Sequence, residues 1–117
     1  MKPTIFIVED DLKLQMETYP HWFKEDFILL QAYNLEQANK IFSENPNPEV
    51  IIMDGCLGGD DFNTGDLVKK IRETYNGPII ATSSTFSGDL VAAGCNYQSS
   101  KKDVGRLSFI IKEILKI

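Results

Sequence analysis

Four short apolar runs, separated by stretches of helical spacing, set the frame of this sequence. Thr4-Ile5-Phe6-Ile7-Val8 is closed by Glu9-Asp10-Asp11, and Val50-Ile51-Ile52-Met53 is closed by Asp54. Neither run alternates apolar with polar residues, which predicts strands covered on both faces, as in a parallel sheet. Phe27-Ile28-Leu29-Leu30 and Ile79-Ile80-Ala81-Thr82 supply the second and fourth strands.

Helices are predicted between them. Leu12 to Tyr19 can form one that Pro20 must kink or end, because proline has no amide donor. Asn34 opens the next, with Gln37 three residues on as a capping-box-like partner. Leu35, Ala38, Ile41 and Phe42 keep its helical spacing until Pro46-Asn47-Pro48. Thr64 is the expected cap of a third helix that buries Leu67, Val68, Ile71 and Tyr75, with Asn76-Gly77-Pro78 as its stop. Asp89 to Ala93 allows little more than one turn, and Tyr97-Gln98-Ser99-Ser100 is too polar to read as a strand by pattern. Asp103 can cap a last helix carrying Leu107, Ile110, Ile111, Ile114 and Leu115 inward. Five β-α units predict a single doubly wound α/β domain over residues 1–117, with right-handed crossovers.

In open parallel sheets, ligands bind outside the carboxyl ends of the strands. If the first and third strands are neighbours, Glu9, Asp10 and Asp54 converge there. Like charges at close range disfavour each other's ionisation, and a hard cation such as Mg²⁺ with its oxygen ligands is the usual remedy. Ser83 ends the fourth strand and Lys101 follows the place of a fifth, both at the same edge. Carboxylates for a metal, a spare carboxylate, a hydroxyl and an amine form a set suited to holding a phosphoryl group. Ser84 and Thr85 beside Ser83, and Lys102 beside Lys101, are the competing assignments.

Composition removes other classes of function. The 117 residues are 43% hydrophobic, enough for one core, and carry a net charge of −5. Lys69-Lys70 and Lys101-Lys102 are the densest basic pairs and make no stripe, so nucleic-acid binding is not expected. No apolar stretch reaches membrane-spanning length, and Met1-Lys2-Pro3 leads straight into a strand rather than a signal-peptide core. Cys56 and Cys95 are too few for a disulfide framework, which fits a reducing, cytoplasmic setting.

These residues resemble the receiver domain of two-component response regulators over essentially the whole chain. Glu9-Asp10 in Ile-Phe-Ile-Val-Glu-Asp-Asp matches the family's acidic pair, and Asp54 in Ile-Ile-Met-Asp matches its phosphoacceptor. Ser83 stands five residues after Pro78, and Lys101 seven after Gly94, as in the family's Ser/Thr and lysine segments. The resemblance implies a flavodoxin-like sheet of order 2-1-3-4-5. It also implies Mg²⁺ held by Glu9, Asp10, Asp54 and the Cys56 backbone carbonyl, with Ser83 and Lys101 on the phosphoryl group. A histidine kinase or phosphotransfer protein would be the donor. Self-phosphorylation and slow autodephosphorylation would be the only chemistry, and output would pass through a downstream protein or a phosphorelay. The sequence ends with its last helix, so a stand-alone receiver is the expectation.

Four departures mark the far side of the site. The loop from Gly55 to Gly65 is long and lacks the common Met-Pro, and the fourth helix is truncated. Gln98 stands at the aromatic switch position, with Tyr97 one residue off and expected on the opposite side of the strand. Lys102 replaces the proline that usually follows the lysine, so a trans bond is expected between Lys101 and Lys102. The alternative function is a pseudo-receiver, an interaction module with the same fold and no phosphorylation cycle. An aspartate-nucleophile phosphatase is prompted by Met53-Asp54-Gly55 but lacks the second aspartate, since Cys56 stands there. Asp11 is read as a helix cap, Asp60 and Asp61 as a solvated loop, and His21 as packing or surface.

Overall fold

A computed structural model describes residues 1–117. Its centre is a five-stranded parallel sheet in the order β2-β1-β3-β4-β5. The strands are β1 (Thr4–Val8), β2 (Ile28–Ala32), β3 (Val50–Met53), β4 (Ile79–Ala81) and β5 (Tyr97–Gln98). Side chains alternate along a strand, so each buried run feeds two cores. Phe6, Val8, Ile51 and Met53 point to one face and pack with Phe42, Val68, Ile71 and Leu90. Ile5, Ile7, Val50 and Ile52 point to the other and pack with Tyr19, Phe23, Leu107 and Ile111. The absence of alternation in the sequence thus has its predicted cause. Register places Val8 opposite Met53, so the residues after both strands leave the sheet side by side.

The helices are α1 (a π turn over Leu14–Thr18 that runs on into an α-helix over Tyr19–Phe23), α2 (Leu35–Glu44), α3 (Gly65–Arg72), α4 (Ser87–Ala93) and α5 (Val104–Leu115). α2 starts as predicted: Asn34 Oδ1 accepts the Gln37 N–H at 2.8 Å, and Gln37 Oε1 accepts the Tyr33 N–H at 2.8 Å. Asp103 likewise caps α5 by accepting the Arg106 N–H at 3.0 Å. Asp11 accepts the Leu14 N–H at 3.0 Å and caps α1, also as expected.

Pro20 neither ends nor breaks α1. The helix passes through a π turn, Leu14–Thr18, and continues as an α-helix over Tyr19–Phe23. Tyr19 N–H bonds to Leu14 O, five residues back, and this widening makes room for a ring that a regular turn would clash with. In that spacing Pro20 would serve Gln15 O. Having no N–H, it leaves that carbonyl to the Gln31 Nε2 donor at 2.5 Å.

Other boundaries also move. β2 begins at Ile28, because the Phe27 N–H closes the end of α1 onto Phe23 O at 2.9 Å and the two rings pack edge to face. Tyr75 is buried as expected but lies beyond α3, whose end is tied down by Arg72 donating to Tyr75 O, Gly77 O and Gly94 O. α4 has seven residues, so it is short but more than one turn. The segment too polar to read as a strand does form β5. It pairs with Ile80 and Ala81, with Asn96 Oδ1 and the Ser99 N–H extending the ladder.

Candidate functional site

Asp54 follows β3 directly, and its N–H donates to Val8 O at 3.0 Å. That bond ties it to the neighbouring strand end, from which Glu9 and Asp10 depart. Glu9 is fully buried and Asp54 nearly so, whereas Asp10 is half-buried. One carboxylate oxygen from each of the three lies within 4.8 Å of the others. Lys101 Nζ reaches in from the end of β5, 3.1 Å from Glu9 Oε1 and 3.1 Å from Asp54 Oδ1. No peptide bond is cis, so Lys101 arrives there with the expected trans bond to Lys102.

One ammonium cannot neutralise two buried carboxylates. Burial, and after it the charge of Asp54, pushes Glu9 up to about 8 despite the Asp11 N–H and Lys101. For Lys101 burial works against its charge, but Glu9 and Asp54 outweigh that and hold its ammonium above the usual lysine range. Glu9 therefore holds its proton more tightly than a free carboxyl does, and a cation bound beside it would favour the proton's release.

The donor set fits a hard cation. All three side chains offer oxygen, and buried Glu9 Oε1 makes no hydrogen bond, the Lys101 ammonium standing 3.1 Å away. Glu9 Oε2 accepts the Asp11 N–H at 3.1 Å, which aims the carboxylate. Asp10 Oδ2 accepts the Gly58 N–H at 2.8 Å, joining the first strand end to the long loop.

A cleft of about 270 Å³ opens over these groups, lined by Asp10, Asp54, Cys56, Asp60, Ser83 and Lys101 among others. Every predicted site residue except Glu9 and Gln98 thus lines it, and Glu9 lies immediately beneath. Asp60 and Asp61 are exposed, as expected of a solvated loop, though Asp60 contributes to the cleft wall. Ser83 Oγ accepts the Phe86 N–H at 2.9 Å and the Thr85 N–H at 3.3 Å, holding the turn that leads into α4. Gln98 lines a separate groove of about 470 Å³ with Ser83, Ser87 and Arg106. Tyr97 does not line it, in keeping with strand alternation. His21 is exposed beside Trp22.

Sequence reasoning missed three supports of this site. Thr64 stands at the cap position of α3 as expected, but its fully buried hydroxyl makes no capping bond and instead donates to Asp54 O at 2.8 Å. Asn63 pairs with both backbone groups of Leu57, at 2.7 and 2.8 Å, and so closes the long loop on itself. At Gly55 an added Cβ would stand 2.7 Å from Phe86 Cβ and 3.1 Å from Ser83 Oγ, so only glycine lets the two sides approach. A polar residue at an otherwise apolar position was the available signal for Thr64. Nothing local marks the other two.

Fold and cleft together define a doubly wound α/β domain with an acidic, lysine-bridged site at the carboxyl edge of its sheet. No protein-family model matches the chain, and no curated protein is significantly similar to it in sequence. Solved structures are similar in shape. A two-component response regulator from Clostridium difficile matches at a TM-score of 0.80, with 24% identity over 98% of this chain and 97% of that one. The receiver domain of a sensor histidine kinase from Pseudomonas aeruginosa PAO1, described with magnesium coordinated in its active-site cleft, matches at 0.80. Its identity is 22% over 100% of each chain. A Francisella response regulator receiver domain matches at 0.79, with 19% identity over 98% of each. The chain has the receiver-domain fold, in the sheet order expected. No helix is long and apolar enough to cross a membrane.

Proposed function

We propose that this domain is a response regulator receiver that accepts a phosphoryl group on Asp54 from a histidine kinase or phosphotransfer protein. The observation that carries the reading is the convergence of Glu9, Asp10 and Asp54 on one lysine at the mouth of a cleft that also holds Ser83. Glu9, Asp10, Asp54 and the Cys56 carbonyl would hold Mg²⁺, which offsets the negative charge of the carboxylates and of the incoming phosphoryl oxygens.

The roles of the side chains follow from their contacts. Asp54 Oδ1 takes the Gly55 N–H at 2.8 Å and the Lys101 ammonium, so Oδ2 is the oxygen free to attack. The new P–O bond forms as the donor's P–N bond breaks, and the electron pair leaves with the imidazole, which takes up a proton. Lys101 then moves its charge from two carboxylates to the phosphoryl oxygens. Ser83 Oγ, which accepts the Phe86 N–H, keeps its own proton to donate to one of those oxygens. No turnover beyond self-phosphorylation and slow autodephosphorylation is proposed, and output passes through a partner protein or a phosphorelay.

Intact mass measurement after incubation with acetyl phosphate and Mg²⁺ tests the reading. One added phosphoryl group is expected for the wild type and none for Asp54→Asn. No gain in the wild type would favour the second reading, a pseudo-receiver, which exposed Gln98 and the two-residue β5 support.

A further inference from the structure

Behind the carboxylates lies a side chain that no step of this chemistry uses. Gln15 is fully buried in the π turn of α1. Its Nε2 donates to three carbonyls, Ala32 O at 3.0 Å, Glu9 O at 3.1 Å and Ile7 O at 3.3 Å. These close the carboxyl ends of β1 and β2, the edge on which the site stands. An amide has two protons, so the three carbonyls share them. Gln15 Oε1 in turn accepts Gln31 Nε2 at 2.8 Å. Each polar atom of the buried side chain is thereby engaged.

The consequence falls on Glu9, which is gripped on both of its peptides. Its N–H donates to Ala32 O at 3.0 Å, and its carbonyl takes Gln15. With both peptides held, the side chain departs in one direction, and the chain turns at a fixed point into Asp10. We infer that Gln15 is a positioning residue for the cation site, orienting Glu9 and Asp10 through the Glu9 carbonyl. The inference rests on reading the three carboxylates as a Mg²⁺ site. Groups that orient metal ligands commonly change affinity by about 10–100-fold when removed. The π turn then has a use, since it brings a residue of α1 inward to the strand ends and supplies the carbonyl that Gln31 grips.

Titration of the whole chain with magnesium chloride, followed by amide shifts, tests this. Gln15→Met keeps the length and removes the donors, and is expected to weaken Mg²⁺ binding about ten-fold or more. Gln31→Met removes only the outer anchor and should weaken it less. Phe42→Ala lowers stability from the opposite face of the sheet and should leave affinity unchanged. Gln15→Asn, whose amide falls short of the carbonyls, takes the place of the methionine variant if that one fails to fold, with the same expected loss. Wild-type affinity in either folded Gln15 variant, or an equal loss in Phe42→Ala, would overturn the positioning role and leave the cation site standing. No Mg²⁺ binding by the wild type would overturn both.

Discussion

The two walls of the cleft are built differently. On one side, Glu9 and Asp54 follow strands whose apolar residues are all buried, and are held by backbone and by Gln15 or Thr64. On the other, Ser83 stands in the turn between the three-residue β4 and the seven-residue α4, and Gln98 ends the two-residue β5, beside a polar groove. The first wall is costly to move, because its groups are packed and paired in the core. Beyond the buried β4, the second wall is built of short elements in which α4 buries only Leu90 and both residues of β5 are exposed, and regions with fewer buried contacts open locally at lower free energy. The proposed chemistry thus rests on the more tightly packed wall, and the wall of shorter, more exposed elements is the one suited to report it.

The largest expected effect comes from charge on the rigid wall. Glu9 sits at about 8 in the fold against 4.5 as a free side chain. Between those values the folded protein keeps a proton that the unfolded chain has released. Raising the pH through this window therefore favours unfolding, with a slope of at most about 1.4 kcal/mol per pH unit. Below about 4.5 the contribution is complete, and above about 8 it is lost. Urea denaturation across the window should show stability falling as pH rises, and Glu9→Gln should flatten the fall. Mg²⁺ should oppose it, since a bound cation stabilises the deprotonated fold. A metal-free stability that rises over this window would reverse the account of the rigid wall.

Lys101 bridges the two walls, so its removal comes next. Lys101→Met leaves two neighbouring buried carboxylates without their cation. Breaking a buried pair costs about 3–5 kcal/mol, and the partial exposure of Lys101 reduces this to about 2 kcal/mol. Denaturation with and without Mg²⁺ should show a larger gain from the metal in this variant than in the wild type. Equal gains would mean that lysine and metal do not share the same negative charge.

Gly55 is where the walls touch. Gly55→Ala would press a methyl against Phe86 Cβ, and overpacking of this kind costs about 1–3 kcal/mol. The turn that Ser83 holds should give way before the strands do. Amide shifts should therefore concentrate in Ser83 to Ala93 and spare β1. Shifts of equal size on both walls would show that the two are one rigid unit.

The same division explains what was legible in the sequence. Glu9, Asp10 and Asp54 could be read because each punctuates an apolar run, and the strand register that unites them follows from burial on both faces. The α2 cap could be read because Asn34 and Gln37 are close in sequence. Pro20 misled because its missing donor was visible while the remedy, Gln31, lies on β2. Thr64 could be placed at the start of α3, but not its hydroxyl's acceptor, Asp54 O, which is ten residues away. β5 was hidden since two polar residues at an edge carry no pattern, and only the ladder of β4 makes them a strand. Local chemistry was readable; remote partners were not.

The smallest effect, and the sharpest division between the walls, is expected at Gln98. Its side chain is exposed and borders the groove beside Ser83, and no ring stands there to follow the hydroxyl. Gln98→Ala should change stability by no more than about 0.5 kcal/mol, as surface substitutions usually do. It should also leave intact the amide shifts induced by beryllofluoride with Mg²⁺. Phe86 differs, because its N–H is held by Ser83 Oγ and its ring lies 5.6 Å from that of Phe62 in the long loop. Under the proposed phosphorylation, Ser83 would donate its hydroxyl proton to the phosphoryl group, and a shift of Oγ toward that group would pull on the Phe86 N–H it accepts and so move the Phe86 ring relative to Phe62. Phe62→Leu should therefore shrink the beryllofluoride response in residues 57–63 while leaving the response at Asp54 itself. If Gln98→Ala abolished the response and Phe62→Leu left it whole, the signal would run through β5 instead of the two loops.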